Sequence, residues 1–343
     1  MQFLKFLLIP FSLLYGFITW VRNKLFDWKL KPTYTIPAKS ICVGNLNVGG
    51  TGKTPHVQYL SDLLIKLGQV NIVSRGYGRK TKGLIEANER HTVEDIGDEP
   101  KLYVNRKNGA KIWVSEKRKS ACESIISSQS NPIILLDDAF QHRHIEAGLQ
   151  IVLTDFSRPF FKDYMLPTGF LREFRSGIKR ADIVVVTKCP KDTTEEDIQV
   201  FIKKIKLPKE NIYFSQMVYG PLVSLGPKNI SLDVIENIVL VCGIAQPKPL
   251  IEFLEKTHNV RPIVFSDHHP FSKEDIKEIH QIFGNFARDK TIVVTTEKDA
   301  VRLQTYLESG LLSDIPWYVQ GIRIQIDRKQ EFEKNIINYV TRD

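Results

Sequence analysis

SICV (40–43) running into GNLNVGGTGKT (44–54) is the stretch that decides the fold. A short apolar run stopped by a glycine reads as a buried strand, and the residues after Thr54 take up helical spacing. Between them lies a loop of the form G-x-x-x-x-G-K-[ST]. Such a loop turns backbone N–H groups inward around a phosphate, its Lys reaches the β- and γ-phosphates, and its Ser/Thr hydroxyl ligates Mg²⁺. Gly52, Lys53 and Thr54 fill the last three places, after Asn47, Val48, Gly49, Gly50 and Thr51. The first place holds Asn47 rather than Gly. Asn tolerates left-handed backbone better than most residues, and Gly49 and Gly50 add freedom. The loop is therefore expected to close on a nucleoside triphosphate, ATP with Mg²⁺.

Working outward, short continuous apolar runs alternate with amphipathic ones. Strands are expected at 40–43, 70–74, 111–114, 133–136, 150–154, 182–187, 237–242, 260–265 and 291–295. Helices are expected at 54–67, 116–127, 195–206, 249–257 and 273–288. This alternation predicts an α/β fold of P-loop type, a mainly parallel sheet covered on both faces. A P-loop site needs a further Mg²⁺-facing carboxylate at the carboxyl end of a neighbouring strand. IILL (133–136) followed by Asp137 and Asp138 supplies it. The Gly- and Pro-rich segment at 218–230 reads as a boundary. It separates a P-loop lobe (29–217) from a smaller α/β lobe (218–343), with residues 1–28 as an apolar membrane-associated helix.

Lys and Arg outnumber Asp and Glu by 48 to 39 in the 343 residues, a net charge of +9. That excess favours an anionic partner. The basic residues are spread along the chain and carry no nucleic-acid signature, so no nucleic acid is expected. Cys42, Cys122, Cys189 and Cys242 lie far apart in apolar surroundings and read as small buried hydrophobes, against zinc and disulfides alike. Residues 6–21 carry no charge and are followed by Arg22 and Lys24. The run is shorter than the ~20 residues a span requires, lacks a small-residue cleavage site, and places Tyr15 and Trp20 where headgroups would lie. It is read as a monotopic or shallowly inserted helix on the cytoplasmic face of the membrane. The alternatives are a helix packed on the protein's own core and a true span.

Further blocks occur in order: SRGYG (74–78), GDEP (97–100), DDAFQH (137–142), LPTGFLRE (166–173), GIAQP (243–247) and DHH (267–269). With GNLNVGGTGKTP (44–55), they resemble the tetraacyldisaccharide 4′-kinase family of lipid A biosynthesis over almost the whole chain. One departure is Ala139 where the family pattern has Gly. The resemblance implies transfer of the ATP γ-phosphoryl group to the 4′-hydroxyl of an acylated, already phosphorylated glucosamine disaccharide, at the cytoplasmic face of the inner membrane. It implies Asp98 as catalytic base paired with a histidine that maps to His268, alongside Lys53 on the phosphates. Thr54, Asp137 and Asp138 are then the metal residues. Arg75, Gln141, His142, Arg172 and Glu173 are candidate substrate contacts, and Glu297-Lys298-Asp299 matches a further block with no chemical role assigned. The rival readings are a regulatory or metal-delivering P-loop GTPase and a membrane adaptor using ATP structurally. TKCP (187–190) lacks the Asp of a guanine-binding N-K-x-D clamp, which weighs against the GTPase.

Overall fold

The computed structural model describes residues 2–342. The chain divides into two compact units, one of residues 1–218 with 324–343 and one of residues 219–323. In the first unit the strands are β1 (Lys39–Asn45), β2 (Val70–Ser74), β3 (Ile85–Ala87), β4 (Lys111–Val114), β5 (Ile133–Asp137), β6 (Leu149–Asp155) and β7 (Ile183–Thr187). Strand β8 (Ile212–Ser224) leads out of it. Their spatial order is β8-β7-β6-β1-β5-β2-β4-β3. Neighbours from β8 to β4 pair in parallel, and only the edge strand β3 runs antiparallel. Parallel pairing gathers the loops after β1, β2, β5, β6 and β7 at one edge, where open α/β sheets bind ligands. Helices cover both faces, which explains why the apolar residues of the central strands are buried on either side of the sheet.

The second unit has β9 (Asn237–Cys242), β10 (Asn259–Val264), β11 (Thr291–Thr296) and the start of β12 (Trp317–Ile326), in the order β10-β9-β11-β12. The pairs β9–β10, β9–β11 and β11–β12 are all parallel. Its core includes Val239, Ile279, Phe283, Val293 and Trp317.

Two expectations change. The two units do divide at the start of the expected boundary segment, between Val218 and Tyr219, but its first residues are strand, because β8 continues through Gly220 and Pro221 to Ser224. Residues 324–343, expected with the second lobe, belong to the first unit. Their helix (Lys329–Thr341) buries Phe332 and Ile336 in a cluster with Val57, Leu60 and Leu64.

The first helix, α1 (Gln2–Asp27), packs with its small and polar side inward. Ser12 donates to the Met165 carbonyl (3.2 Å) and Thr168 (2.6 Å), and the Tyr15 hydroxyl donates to the Arg172 carbonyl (3.0 Å). Asn23 Nδ2 donates to Glu173 (2.8 Å), and a Cβ on Gly16 would stand 3.1 Å from the Phe174 ring. Leu7, Phe11, Leu13, Leu14, Phe17 and Ile18 point away and are 58–69% exposed. Among the described residues no helix is long and apolar enough to cross a membrane.

Phe332 is buried against Tyr59 and Tyr213. Phe332→Ala is expected to destabilise the first unit by about 3–5 kcal/mol. Urea unfolding followed by fluorescence would measure it, and a change under 1 kcal/mol would contradict this placement of the last helix.

Candidate functional site

Strand β1 ends at Asn45 and the chain turns through residues 46–52 into α2 (Lys53–Leu64). The left-handed backbone falls on Gly49 (φ 110°) and Gly52 (φ 84°), not on Asn47. Asn47 serves another purpose. Buried, it donates from Nδ2 to Asp163 Oδ2 at 2.6 Å and forms a β-bridge with Leu171. Val48 N donates to the Phe170 carbonyl (2.7 Å). Thr51 accepts from Asn45 Nδ2 (2.8 Å), and its carbonyl accepts from Thr187 (2.9 Å). The loop is thus held from both sides before any ligand arrives. A Cβ on Gly50 would meet nothing within 4 Å, so that position faces open space.

The acids after β5 have separate environments. Asp137 is buried, with Ser74 Oγ 3.4 Å from its Oδ2. Its Oδ1 has no hydrogen-bond partner. Burial, then Glu99 and Asp138 nearby, push its carboxyl well above the usual range, against the pull of Lys53. Tyr103 lies close to Asp137 and Thr54, without its hydroxyl reaching hydrogen-bonding geometry. Asp138 adopts a left-handed backbone (φ 48°) and turns to the cations. Lys53 Nζ is 3.6 Å from Oδ2, and Arg172 Nη1 donates to Oδ1 (2.9 Å) and Oδ2 (3.1 Å). Burial alone would raise its carboxyl, yet Lys53 and Arg172 hold it below the usual range.

Arg172 also donates to Gln141 Oε1 (3.3 Å), and Gln141 Nε2 donates to the Asn45 carbonyl (2.6 Å) and Glu173 (3.1 Å). Glu173 is buried, with Arg180 (2.7 Å) and Asn23 (2.8 Å) as further donors. Its oxygens tie α1 to the phosphate edge. His142 is pushed down to about 4 by burial and by Arg118 and Arg75, which keeps the ring neutral at physiological pH. Arg75 is exposed in the loop after β2. Gly76 and Gly97 let that loop approach the segment leading to Asp98: a Cβ on Gly97 would fall 2.8 Å from the Tyr77 carbonyl. Asp98 is half-buried and opens the helix Asp98–Arg106. His268 belongs to the second unit, with left-handed backbone (φ 61°).

Sequence reading missed several site residues. Asp163 anchors Asn47 from 116 positions away, and no local pattern marks it. Arg118 is 3% exposed, with Nη2 3.4 Å from the Asp137 carbonyl and no partner for Nε or Nη1. Lys188 pairs with Asp155 at 2.9 Å. An acid ending β6 and a Lys following β7 were a signal available in advance.

A family model described as Tetraacyldisaccharide-1-P 4'-kinase matches residues 4–341. The chain belongs to this family. The tetraacyldisaccharide 4'-kinase of Bacteroides fragilis (strain YCH46) is 42% identical over 349 residues, covering 97% of this chain and 92% of the relative. That of Flavobacterium psychrophilum is 40% identical over 346 residues, covering 99% and 98%. Among solved structures, LpxK from Aquifex aeolicus in complex with ATP is 28% identical with a TM-score of 0.77, covering 99% of this chain and all of that one. The family membership extends to α1 and to the second unit, since the match leaves out only a few terminal residues.

Asn47→Gly, which restores the general P-loop residue, removes the bond to Asp163. It is expected to lower stability by roughly 1–3 kcal/mol while leaving ATP affinity within about threefold. Thermal unfolding and nucleotide titration would test both parts. Unchanged stability would show that the Asn47–Asp163 contact carries no weight.

Proposed function

We propose a reading in which the carboxyl edge of the first unit holds ATP and directs its terminal phosphoryl group onto a sugar hydroxyl at the membrane surface. The protein is an ATP-dependent tetraacyldisaccharide 4'-kinase of lipid A biosynthesis, acting on the 4′-hydroxyl of tetraacyldisaccharide 1-phosphate. The observation that carries the site assignment is the pairing of a pre-formed phosphate loop with a buried carboxylate oxygen, Asp137 Oδ1, that has no protein partner. An orphaned, buried carboxylate at this place fits a divalent cation. Thr54, Asp137 and Asp138 would hold Mg²⁺, which when bound neutralises charge on the β- and γ-phosphate oxygens.

The chain's own groups divide the remaining work. Amides of residues 48–53 and Lys53 cradle the phosphates. Arg172, fixed by Asp138 and Gln141, directs positive charge at the edge where the phosphoryl group moves. Arg75 and His142 contact the acceptor. Asp98 accepts the proton of the attacking hydroxyl and His268 orients it, as the family resemblance implies. Glu173 contributes by holding Arg180, Gln141 and α1 in place.

The acceptor is a lipid, and α1 supplies the means to reach it. An apolar face of six large residues turned outward, with Ser12, Tyr15, Thr19 and Asn23 turned inward, suits a helix lying in a headgroup layer. The cytoplasmic leaflet of the inner membrane is the surface proposed. A regulatory GTPase is not favoured, since the guanine-gripping acid is absent after Thr187-Lys188.

Asp98→Asn is expected to lower kcat by about 10²–10⁴-fold with ATP affinity nearly unchanged, assayed with ATP, Mg²⁺ and disaccharide 1-phosphate lipid in mixed micelles. Near-normal turnover would remove Asp98 from this role. Replacing Leu14 and Phe17 together by Gln is expected to reduce co-sedimentation with anionic phospholipid vesicles severalfold while preserving ATP binding. Undiminished vesicle binding would rule out α1 as the membrane contact.

A further inference from the structure

The Glu297-Lys298-Asp299 block stands at the start of the helix Glu297–Glu308, directly after β11. Asp299 is fully buried, an expensive place for an acid unless donors surround it. They do. Oδ2 accepts from Gly243 N (3.0 Å) and Thr296 Oγ1 (2.7 Å), and Oδ1 accepts from Arg302 Nη1 (3.0 Å). Gly243 opens the GIAQP block, and a side chain there would crowd the cluster. Its Cβ would fall 3.0 Å from the Ser266 carbonyl, 3.2 Å from Asp299 Oδ1 and 3.4 Å from His269 Cβ. Three separate sequence blocks therefore meet around one carboxylate.

The Arg302 side chain is only 6% exposed, and its second terminal nitrogen is committed elsewhere: Nη2 lies 2.9 Å from His268 Nδ1. A guanidinium has donors and no acceptor. Nδ1 must then accept, so the neutral imidazole carries its proton on Nε2. The backbone supports the same placement, with His268 N 3.3 Å from the Gly243 carbonyl in a left-handed conformation. Nε2 stands 3.9 Å from Asp267 Oδ1.

We infer that Arg302, braced by Asp299, is a positioning residue for His268: it aims the ring and fixes the tautomer with the proton on Nε2. An Nε2–H donor is what an imidazole needs in order to orient a carboxylate that accepts a substrate proton. The inference deepens the proposed function and rests on the role given there to His268. Arg302 itself touches neither nucleotide nor acceptor in this scheme, and Lys at 302 would retain a donor for Nδ1 with a less rigid geometry.

The test uses the full ¹⁵N-labelled chain and two-bond ¹H–¹⁵N spectra, with the His268 signals assigned by their loss in His268→Gln. The wild type is expected to show His268 Nδ1 as an unprotonated acceptor and Nε2 as the protonated nitrogen. Arg302→Met should shift the ring toward a tautomer mixture and lower kcat on the order of tenfold, with KM for ATP unchanged. Arg302→Lys should recover part of kcat. In a His268→Gln background, Arg302→Met should cost little more, because the two act through one another. A wild-type ring protonated on Nδ1, or an Arg302→Met loss as large without His268 as with it, would overturn the inference. Wild-type turnover in His268→Gln would instead remove the histidine from the reaction and leave the tautomer result standing.

Discussion

The carboxylate of Asp138 is the contact on which the carboxyl edge of the first unit depends. It lies between a Lys at the start of a helix and an Arg on a loop 34 positions further along the chain. Without those two cations the partly exposed acid next to Asp137 would add to the repulsion that already pushes Asp137 upward. With them, three loops acquire one fixed arrangement. Removing either cation leaves the partly exposed Asp138 carboxylate with one charged partner instead of two.

From Arg172 the order spreads outward through backbone as well as side chains. Its amide donates to the Leu46 carbonyl, next to the phosphate loop. Its carbonyl accepts from Tyr15 on α1. The next residue, Glu173, binds Asn23 on the same helix. A single short segment therefore fastens the phosphate loop on one side and the apolar helix on the other. This explains why Ser12 and Thr19 interrupt a run that composition alone would treat as uniformly greasy, and why Asn23 follows it. They are the docking side, and the large apolar residues are what remains.

Much of this was legible beforehand. The phosphate loop, the strand ending in Asp137 and the parallel α/β class follow from continuous apolar runs punctuated by glycine, because each rests on local periodicity. What escaped depends on distant pairing. Asn47 was read as a residue tolerating left-handed backbone, whereas its side chain is bonded to Asp163. The boundary at 218–230 falls where the units divide, but Gly220 and Pro221 do not mark the strand that runs on through them. The last helix returns to the first unit because Phe332 and Ile336 complete a core begun some 270 residues earlier, by Val57 and Leu60. Nothing local to residues 329–341 announces which of two sheets that apolar face will cover.

The docking of α1 has a consequence for selectivity. Ser12 and Asn23 are eleven residues apart, about 16 Å along a helix, and both are bonded to the loop that carries Arg172 and Glu173. On the proposed reading, the height of the reacting phosphate above the leaflet is set by this rigid attachment. The acceptor is then sorted by where its hydroxyl stands relative to the surface. A soluble sugar of identical headgroup would meet the same chemistry but would lack the vertical address.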